Sequence, residues 1–290
     1  MSQNIKCIVC GKYAPGTEEH IIPKSMGNST LKTWSVCKLC NSNLGTFVDN
    51  YLVNHIITKI IRNYLGLKGQ SGKIPNPFEK GVDENGRIIY TDENFKPQIA
   101  PFLEENDNKI HVSAPTKDSA KKMVSKKLER LGIVDEEIQK VLETVEKAQP
   151  NSFRPQIKYD CTIDFNKIHL EFIKIAYEYA CLKLGDEYCW HDNGAKAIRE
   201  ILTSAIDGNF EITHNLITKM PDEILHLIQK IPNSDKTHFI YIHEDQLKRV
   251  LVQISLFSNP LFSFSVCVSK NSEKFSKTLQ NIDMDMITVF

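Results

Sequence analysis

The 290-residue sequence has 41% hydrophobic and 25% charged residues, an ordinary globular composition with enough apolar material for a core. This excludes disordered, collagen-like and coiled-coil chains, and no apolar run reaches the ~18 residues that a membrane span needs. Residues 1–20 also lack a signal-peptide pattern, so we expect a cytoplasmic protein.

Charge is unevenly distributed along the chain although the formal net charge is +0. Residues 1–75 hold nine lysines and arginines against three acidic residues, so this segment is basic and the remainder is acidic. A basic module joined to an acidic body is the pattern expected when only one part of a protein meets phosphate groups. Chance clustering of solvated lysines is the other interpretation.

The N-terminal segment begins with two cysteine pairs. Cys7 and Cys10 form the first C-x-x-C pair and Cys37 and Cys40 the second, with 26 residues between the pairs. Cysteines in a chain without a secretion signal would stay reduced, and two such pairs supply the four thiolates that tetrahedral Zn²⁺ prefers. The spacing predicts a structural Zn²⁺ site on these four residues. Four thiolates close the coordination sphere, so this ion would not perform chemistry.

A polar motif lies around the second cysteine pair. Glu18-Glu19-His20-Ile21-Ile22-Pro23 precedes that pair, and Asn41 follows it directly. This order and spacing resemble the four-cysteine form of the HNH endonuclease family over roughly residues 5–50. The resemblance implies a ββα-metal finger that holds one catalytic divalent cation.

The resemblance also implies catalytic roles for individual residues. His20, at the end of a strand, corresponds to the general base that takes a proton from the attacking water, Glu19 to the acidic metal ligand and Asn41 to the second ligand. Oxygen ligands of this kind suit Mg²⁺ or Mn²⁺. Asn43 or Asp49 would be a further or substitute ligand, although an ordinary exposed acid is the favoured interpretation of Asp49. Because adjacent strand positions face opposite sides, His20 can face the water and Glu19 the cation if the strand end is bent.

The sequence departs from the common family pattern in the residue that orients the base. Many members carry an asparagine on the second strand that orients the histidine through its backbone. Here residues 31–36 contain no asparagine, and the nearest amide is Asn28. The orienting residue is therefore left open.

Periodicity predicts the remaining elements. An amphipathic helix covers 44–65 and ends at Gly66, before a stretch rich in Gly, Pro and Lys. The elements that follow are a hairpin turn at 83–86, a strand at 110–114, helices at 118–131 and 135–148, a strand-like stretch at 157–165, helices at 167–184, 194–206 and 222–230, and strands at 239–242, 250–256 and 262–268. The last two strands should pair as an antiparallel hairpin.

These elements predict an α+β fold with an N-terminal zinc-stabilised ββα-metal finger and a mixed α+β body that carries the C-terminal antiparallel hairpin. We expect the finger and its trailing helix at 1–66, a linker at 67–85 and a recognition, regulatory or oligomerisation body at 86–290. The body could also mediate homo-oligomer formation.

Basic side chains of the N-terminal segment are the candidate nucleic-acid contacts: Lys24, Lys38, Lys59, Arg62, Lys68 and Lys73. The basic run at 117–127 could also follow a DNA backbone. A solvated helix face is the favoured interpretation of that run, because acidic residues follow closely.

The leading hypothesis is a metal-dependent DNA endonuclease that hydrolyses phosphodiester bonds with a histidine base and one divalent cation. By resemblance, the protein would act in prokaryotic or phage restriction or antiviral defence. This expectation comes from the family and not from a physical argument. One alternative is a non-catalytic zinc module that binds nucleic acid or protein, and another is a nuclease of the same type acting on RNA. The joint presence of Glu19, His20 and Asn41 favours an enzyme over a binding module.

Overall fold

The computed structural model describes residues 3–84, 86–99, 101–106, 109–149, 156–212 and 215–289. The chain divides into two compact units, one formed by Met1–Pro75 with Ile163–Phe290 and the other by Asn76–Thr162. This division differs from the expected boundaries at 66 and 85, because the finger and the C-terminal part of the chain share one apolar core. That core joins Ile21 and Leu52 to Phe172 and Val266.

The strands are β1 (Asn4–Lys6), β2 (Tyr13–His20), β3 (Lys32–Cys37), β4 (Lys80–Val82), β5 (Ile88–Thr91), β6 (Pro97–Ile99), β7 (Phe102–Asn106), β8 (Lys109–Ser113), β9 (Ile217–Lys219), β10 (Thr237–Glu244), β11 (Val250–Ser255), β12 (Ser263–Ser269) and β13 (Asp285–Thr288). The α-helices are α1 (Lys38–Leu44), α2 (Asn50–Asn54), α3 (Ile56–Tyr64), α4 (Lys117–Arg130), α5 (Asp135–Lys147), α6 (Phe165–Leu184), α7 (Asp186–His191), α8 (Asn193–Ile206), α9 (Asp222–Gln229) and α10 (Ser276–Leu279). None of these described helices is both long and apolar enough to cross a membrane.

The first unit contains two antiparallel sheets. The smaller sheet has the order β1-β2-β3, and α1 follows β3 directly, which gives the expected ββα finger. The larger sheet has the order β13-β10-β11-β12-β9, and the predicted pairing of β11 with β12 is confirmed. Both faces of β12 are buried, because Ser263 and Ser265 are covered as well as its apolar residues.

The helix predicted over 44–65 is segmented. A π-helical turn at Gly45–Asp49 joins α1 to α2, and the chain then breaks at His55, whose ψ of 141° is extended. The His55 ring caps the next helix by accepting a hydrogen bond from the Ile57 backbone N–H at 3.4 Å. Helix α3 ends before Gly66, as the sequence predicts, and the φ of Gly66 is +69°.

Helix α6 is the element that positions the finger. The Asp164 side chain begins it by accepting a hydrogen bond from the Lys167 backbone N–H at 3.3 Å, which is ordinary N-capping. The helix contacts α2 and the π-helical turn of the finger, and also β11 and β12 of the larger sheet. It is buried along nearly its whole length, and its buried residues include the ionisable Glu171, Lys174 and Glu178.

The second unit carries the sheets β4-β5-β6 and β7-β8 and the pair of helices α4 and α5. The predicted hairpin joins β4 to β5, with Asn85 of its turn outside the described residues. The basic run lies on α4, where Lys121 and Lys127 form ion pairs with Glu146 and Glu105, in keeping with a solvated helix face.

The stretch expected to be strand-like at 157–165 forms no strand. Within it Lys158 makes a single bridge to Val82, and α6 begins at Phe165.

Candidate active site and zinc centre

The four predicted zinc ligands converge. A tight turn closed by the Gly11 backbone N–H on the Cys7 carbonyl (2.8 Å) presents Cys7 and Cys10, while Cys37 ends β3 and Cys40 lies in the first turn of α1. The four sulfur atoms all lie within 4.8 Å of one another, and those of Cys10 and Cys37 are 4.0 Å apart. Tetrahedral Zn–S bonds of ~2.3 Å require sulfur atoms about 3.8 Å apart, so the four cysteines can hold one zinc ion.

The close approach of the four thiol groups shifts the pKa values of three of them in different directions. A hydrogen bond from Cys40 lowers the pKa of Cys7 to about 4, and the same contact raises the pKa of Cys40 far above its usual value. Burial, joined by repulsion from Cys7, raises the pKa of Cys10. Four adjacent thiolates repel one another without a cation, and a bound Zn²⁺ ionises them all.

His20 ends β2, opposite Lys32 of β3. Its Nε2 atom lies 3.8 Å from Glu18 Oε1 and makes no hydrogen bond to any described residue. Partial burial, followed by the charge of Lys32, lowers the pKa of His20 below its usual value. The lowered pKa favours the neutral imidazole near pH 7, and the buried Nε2, which has no hydrogen-bond partner among the described residues, is the nitrogen that would accept a proton.

Glu18 was not among the predicted site residues, although strand alternation places it on the same face as His20. Its Oε2 atom accepts a hydrogen bond from Lys32 Nζ at 3.0 Å, and this bond lowers the pKa of the Glu18 carboxyl. The side chain is 40% exposed. Alternation along β2 would have placed Glu18 on the face of His20, whereas Lys32, which lies on β3, is found only from the pairing of the two strands.

Glu19 lies on the opposite, buried face and is 4% exposed. Its Oε1 atom accepts a hydrogen bond from Lys174 Nζ at 2.7 Å. Burial raises the pKa of Glu19, and the Lys174 charge opposes that effect. The other oxygen, Oε2, is not engaged by any described residue.

The Asn41 side chain, on α1, reaches the end of β2. Its Nδ2 donates hydrogen bonds to the Glu18 carbonyl at 2.9 Å and to Thr17 Oγ1 at 3.2 Å. These bonds leave Oδ1 without a partner among the described residues. Asn43 is half-buried and Asp49 lies in the π-helical turn, where its Oδ1 is 3.5 Å from Lys174 Nζ.

Two oxygen atoms of the kind that bind a divalent cation, Glu19 Oε2 and Asn41 Oδ1, have no hydrogen-bond partner among the described residues. Apart from the four cysteines, the described residues contain no group of three or more His, Cys, Asp or Glu side chains close enough to hold a metal ion. Carboxylate and amide oxygens are the kind of ligand that Mg²⁺ takes together with waters and phosphate oxygens.

The loop after His20 is held by Asn28, which is 1% exposed. Its Nδ2 donates to the carbonyls of Ile22 at 2.7 Å and Leu31 at 2.8 Å, and its Oδ1 accepts from the backbone N–H groups of Thr30 and Leu31. All of these bonds stay within the loop, so Asn28 does not reach the His20 carbonyl.

The candidate nucleic-acid contacts are not equivalent. Lys24, Lys38, Lys68 and Lys73 are exposed and Lys59 is half-buried. Arg62 is only 2% exposed and donates through Nη1 to the Val53 carbonyl at 3.2 Å, so its guanidinium faces the protein and not solvent. Burial lowers the pKa of Arg62.

Comparison with known proteins agrees with this geometry. Residues 7–57 match a family model described as HNH endonuclease, a segment of less than a fifth of the chain. Neither the curated proteins nor the solved structures give a match. The matched segment spans both cysteine pairs, His20 and Asn41, and residues 7–57 are thus a match to the HNH endonuclease family.

Proposed function

We propose that the protein is a metal-dependent HNH-type DNA endonuclease with His20 as its general base. The observation that carries the proposal is the unengaged Nε2 of a neutral, half-buried imidazole at the end of β2, within the segment that matches a nuclease family. A zinc-binding module without chemistry needs no such group.

His20 would act on water. Nε2 accepts a proton as the water oxygen bonds to phosphorus and the phosphorus bond to the leaving oxygen breaks. The ion pair of Glu18 with Lys32 keeps a carboxylate near the imidazolium that forms, with Oε1 at 3.8 Å from Nε2. That carboxylate stabilises the protonated base.

Glu19 and Asn41 would hold the catalytic cation through Glu19 Oε2 and Asn41 Oδ1, the oxygens that have no hydrogen-bond partner among the described residues. When bound, Mg²⁺ or Mn²⁺ neutralises the charge that develops on the phosphate and the leaving oxygen. Asn41 also ties α1 to the backbone at Glu18, which keeps the helix in register with the strand that carries His20.

The proposed substrate is DNA, and the exposed lysines of residues 1–75 would contact its phosphate groups. The roles of restriction or antiviral defence stay predictions from the resemblance, and a homo-oligomer formed through residues 86–290 stays a prediction as well.

The experiment is a cleavage assay with the full chain. Supercoiled plasmid, single-stranded DNA and RNA are each incubated with Mg²⁺, with Mn²⁺ or with EDTA. We expect plasmid nicking and linearisation with either cation and none with EDTA. Cleavage of RNA alone would reassign the substrate, and no cleavage of any nucleic acid would leave the zinc-module alternative.

A further inference from the structure

Lys174 of α6 reaches the end of β2 from 154 positions along the chain. It is fully buried, and its ammonium donates to Glu19 Oε1 at 2.7 Å, to the His20 carbonyl at 3.2 Å and to the Ile21 carbonyl at 3.4 Å. An ammonium group has three N–H donors, and this set can use all of them. The lysine is thus bonded to three consecutive residues centred on His20.

Acidic side chains surround the same ammonium. Asp49 Oδ1 lies at 3.5 Å and Glu178 Oε2 at 3.3 Å, and Glu171 is buried nearby on α6. Burial alone would lower the pKa of Lys174, but Asp49, Glu178 and Glu19 together raise it well above its usual value. The lysine therefore stays charged, and a charged donor makes the stronger hydrogen bond to a carbonyl.

No other described side chain bonds to the His20 carbonyl. Asn28, the nearest amide in sequence, uses its Nδ2 on Ile22 and Leu31. The second strand of the finger supplies no asparagine for this purpose. Lys174 thus supplies the hydrogen bond to the His20 carbonyl that no described side chain of the finger provides.

We propose that Lys174 is the positioning residue of the nuclease site, which fixes the backbone at His20 and thereby aims the imidazole at its water. The inference rests on the proposed function. It makes the finger dependent on α6, because among the described side chains it is Lys174 that bonds to the Glu19 carboxylate and to the His20 carbonyl. A misplacement of about 1 Å at a reacting group can cost about 10²-fold in rate.

The test uses full-length variants of matched size. Lys174→Met removes both the donor and the charge, and Lys174→Gln removes the charge but keeps an N–H donor. Glu178→Gln is the control, because it breaks one ion pair of Lys174 and leaves the bonds to Glu19, His20 and Ile21. Zinc content and thermal unfolding are measured for each variant, and kcat and KM are measured separately on plasmid DNA.

We expect Lys174→Met to lose about 10²-fold in kcat with KM changed less than threefold, Lys174→Gln to recover at least a tenth of the wild-type rate and Glu178→Gln to stay within threefold of wild type. If Lys174→Met folds and retains the wild-type kcat, or if Glu178→Gln loses as much, the positioning role is wrong. If Lys174→Met does not fold, the double variant Lys174→Met/Glu178→Gln, which leaves one fewer buried carboxyl group without its lysine partner, is compared with Glu178→Gln in the same way.

A spectroscopic readout does not depend on activity. With ¹³C-labelled histidine carbonyls, the His20 resonance, assigned by its loss in His20→Gln, should move upfield in Lys174→Met or in the double variant. An unchanged resonance would overturn the proposal. His20→Ala separates the two claims: wild-type cutting by that variant rejects the proposed function, whereas wild-type cutting by Lys174→Met alone rejects only the positioning role.

Discussion

The Nε2 atom of His238 on β10 lies 2.9 Å from the carbonyl oxygen of Met26. This bond joins the larger sheet to the loop that follows β2. The His238 ring is fully buried, and its Nδ1 has no partner among the described residues. The histidine must therefore be neutral, with Nε2 carrying the proton that is donated to Met26.

This relationship predicts that stability falls in mild acid. Burial lowers the pKa of His238 to about 4, although the Met26 bond opposes the shift. In the unfolded chain the pKa is about 6.5, so the unfolded state binds more protons as the pH falls from there. The stabilisation is complete above pH ~6.5 and decreases by on the order of 3 kcal/mol as the pH approaches the folded pKa.

Urea unfolding between pH 7.5 and 4.5 measures this effect. His238→Gln, which keeps a donor for Met26 without a titrating ring, should lose most of the pH dependence contributed at this site. An identical pH profile for the two proteins would mean that His238 does not control it.

Removal of one zinc ligand should unfold the finger. Cys40→Ser is expected to lose the metal and the ordered ββα segment, since a structural zinc contributes on the order of 10 kcal/mol to small modules. Cys161→Ser is the matched control, because Cys161 is exposed and lies outside the cluster. Elemental analysis should give one zinc per chain for wild type and control. A folded, zinc-free wild-type protein would contradict this prediction.

The acid limb of the cleavage profile should lie below pH 6.5. Burial first, and Lys32 second, lower the pKa of His20, and a general base must be deprotonated to act. Lys32→Gln should move the limb of kcat/KM to higher pH, since it removes a positive charge and frees Glu18. Lys12→Gln, at an exposed position of the same finger, should leave the limb in place. A limb that moves to lower pH in Lys32→Gln would argue against His20 as the titrating base.

Asn41→Ala should raise the Mg²⁺ concentration needed for half-maximal cleavage by about tenfold or more, comparable to the effect of losing support for a metal ligand. The neighbouring Asn43→Ala should have a smaller effect, because the described hydrogen bonds between α1 and the end of β2 come from Asn41 and not from Asn43. A larger effect at Asn43 would transfer the ligand role to that residue.

Salt dependence distinguishes exposed lysines from Arg62. Lys38→Gln or Lys68→Gln should each reduce the slope of log Kd against log salt by about 1 if the side chain neutralises one phosphate. Arg62→Gln should lower thermal stability and leave the slope unchanged, because this guanidinium bonds to the Val53 carbonyl inside the protein. A lower slope for Arg62→Gln at unchanged stability would show that the buried side chain reaches DNA.

Short-range patterns predicted the parts of the site that local geometry determines. Two C-x-x-C turns placed Cys7 beside Cys40, and alternation along β2 implied that Glu19 faces away from His20. The partner of Glu19 could not be foreseen, because Lys174 is 155 positions away and meets it only through the packing of α6.

The division into two units differs from the predicted boundaries for the same reason. The Gly- and Pro-rich stretch after α3 leads into an inserted unit, and the chain returns at residue 163 to complete the core of the first unit. A pattern of local breakers marks where a segment ends, but not which distant segment shares its core. The break at His55 was missed because the apolar period continues across it.

The most direct test is single-turnover cleavage by His20→Ala, compared with wild type and with His226→Ala, whose exposed histidine lies on α9 far along the chain. All three proteins should bind one zinc ion and plasmid DNA equally. We expect His226→Ala to cut at the wild-type rate and His20→Ala to cut about 10²–10⁴-fold more slowly, which is the usual cost of losing a general base. A folded, zinc-loaded His20→Ala that cuts at the wild-type rate would contradict the catalytic assignment.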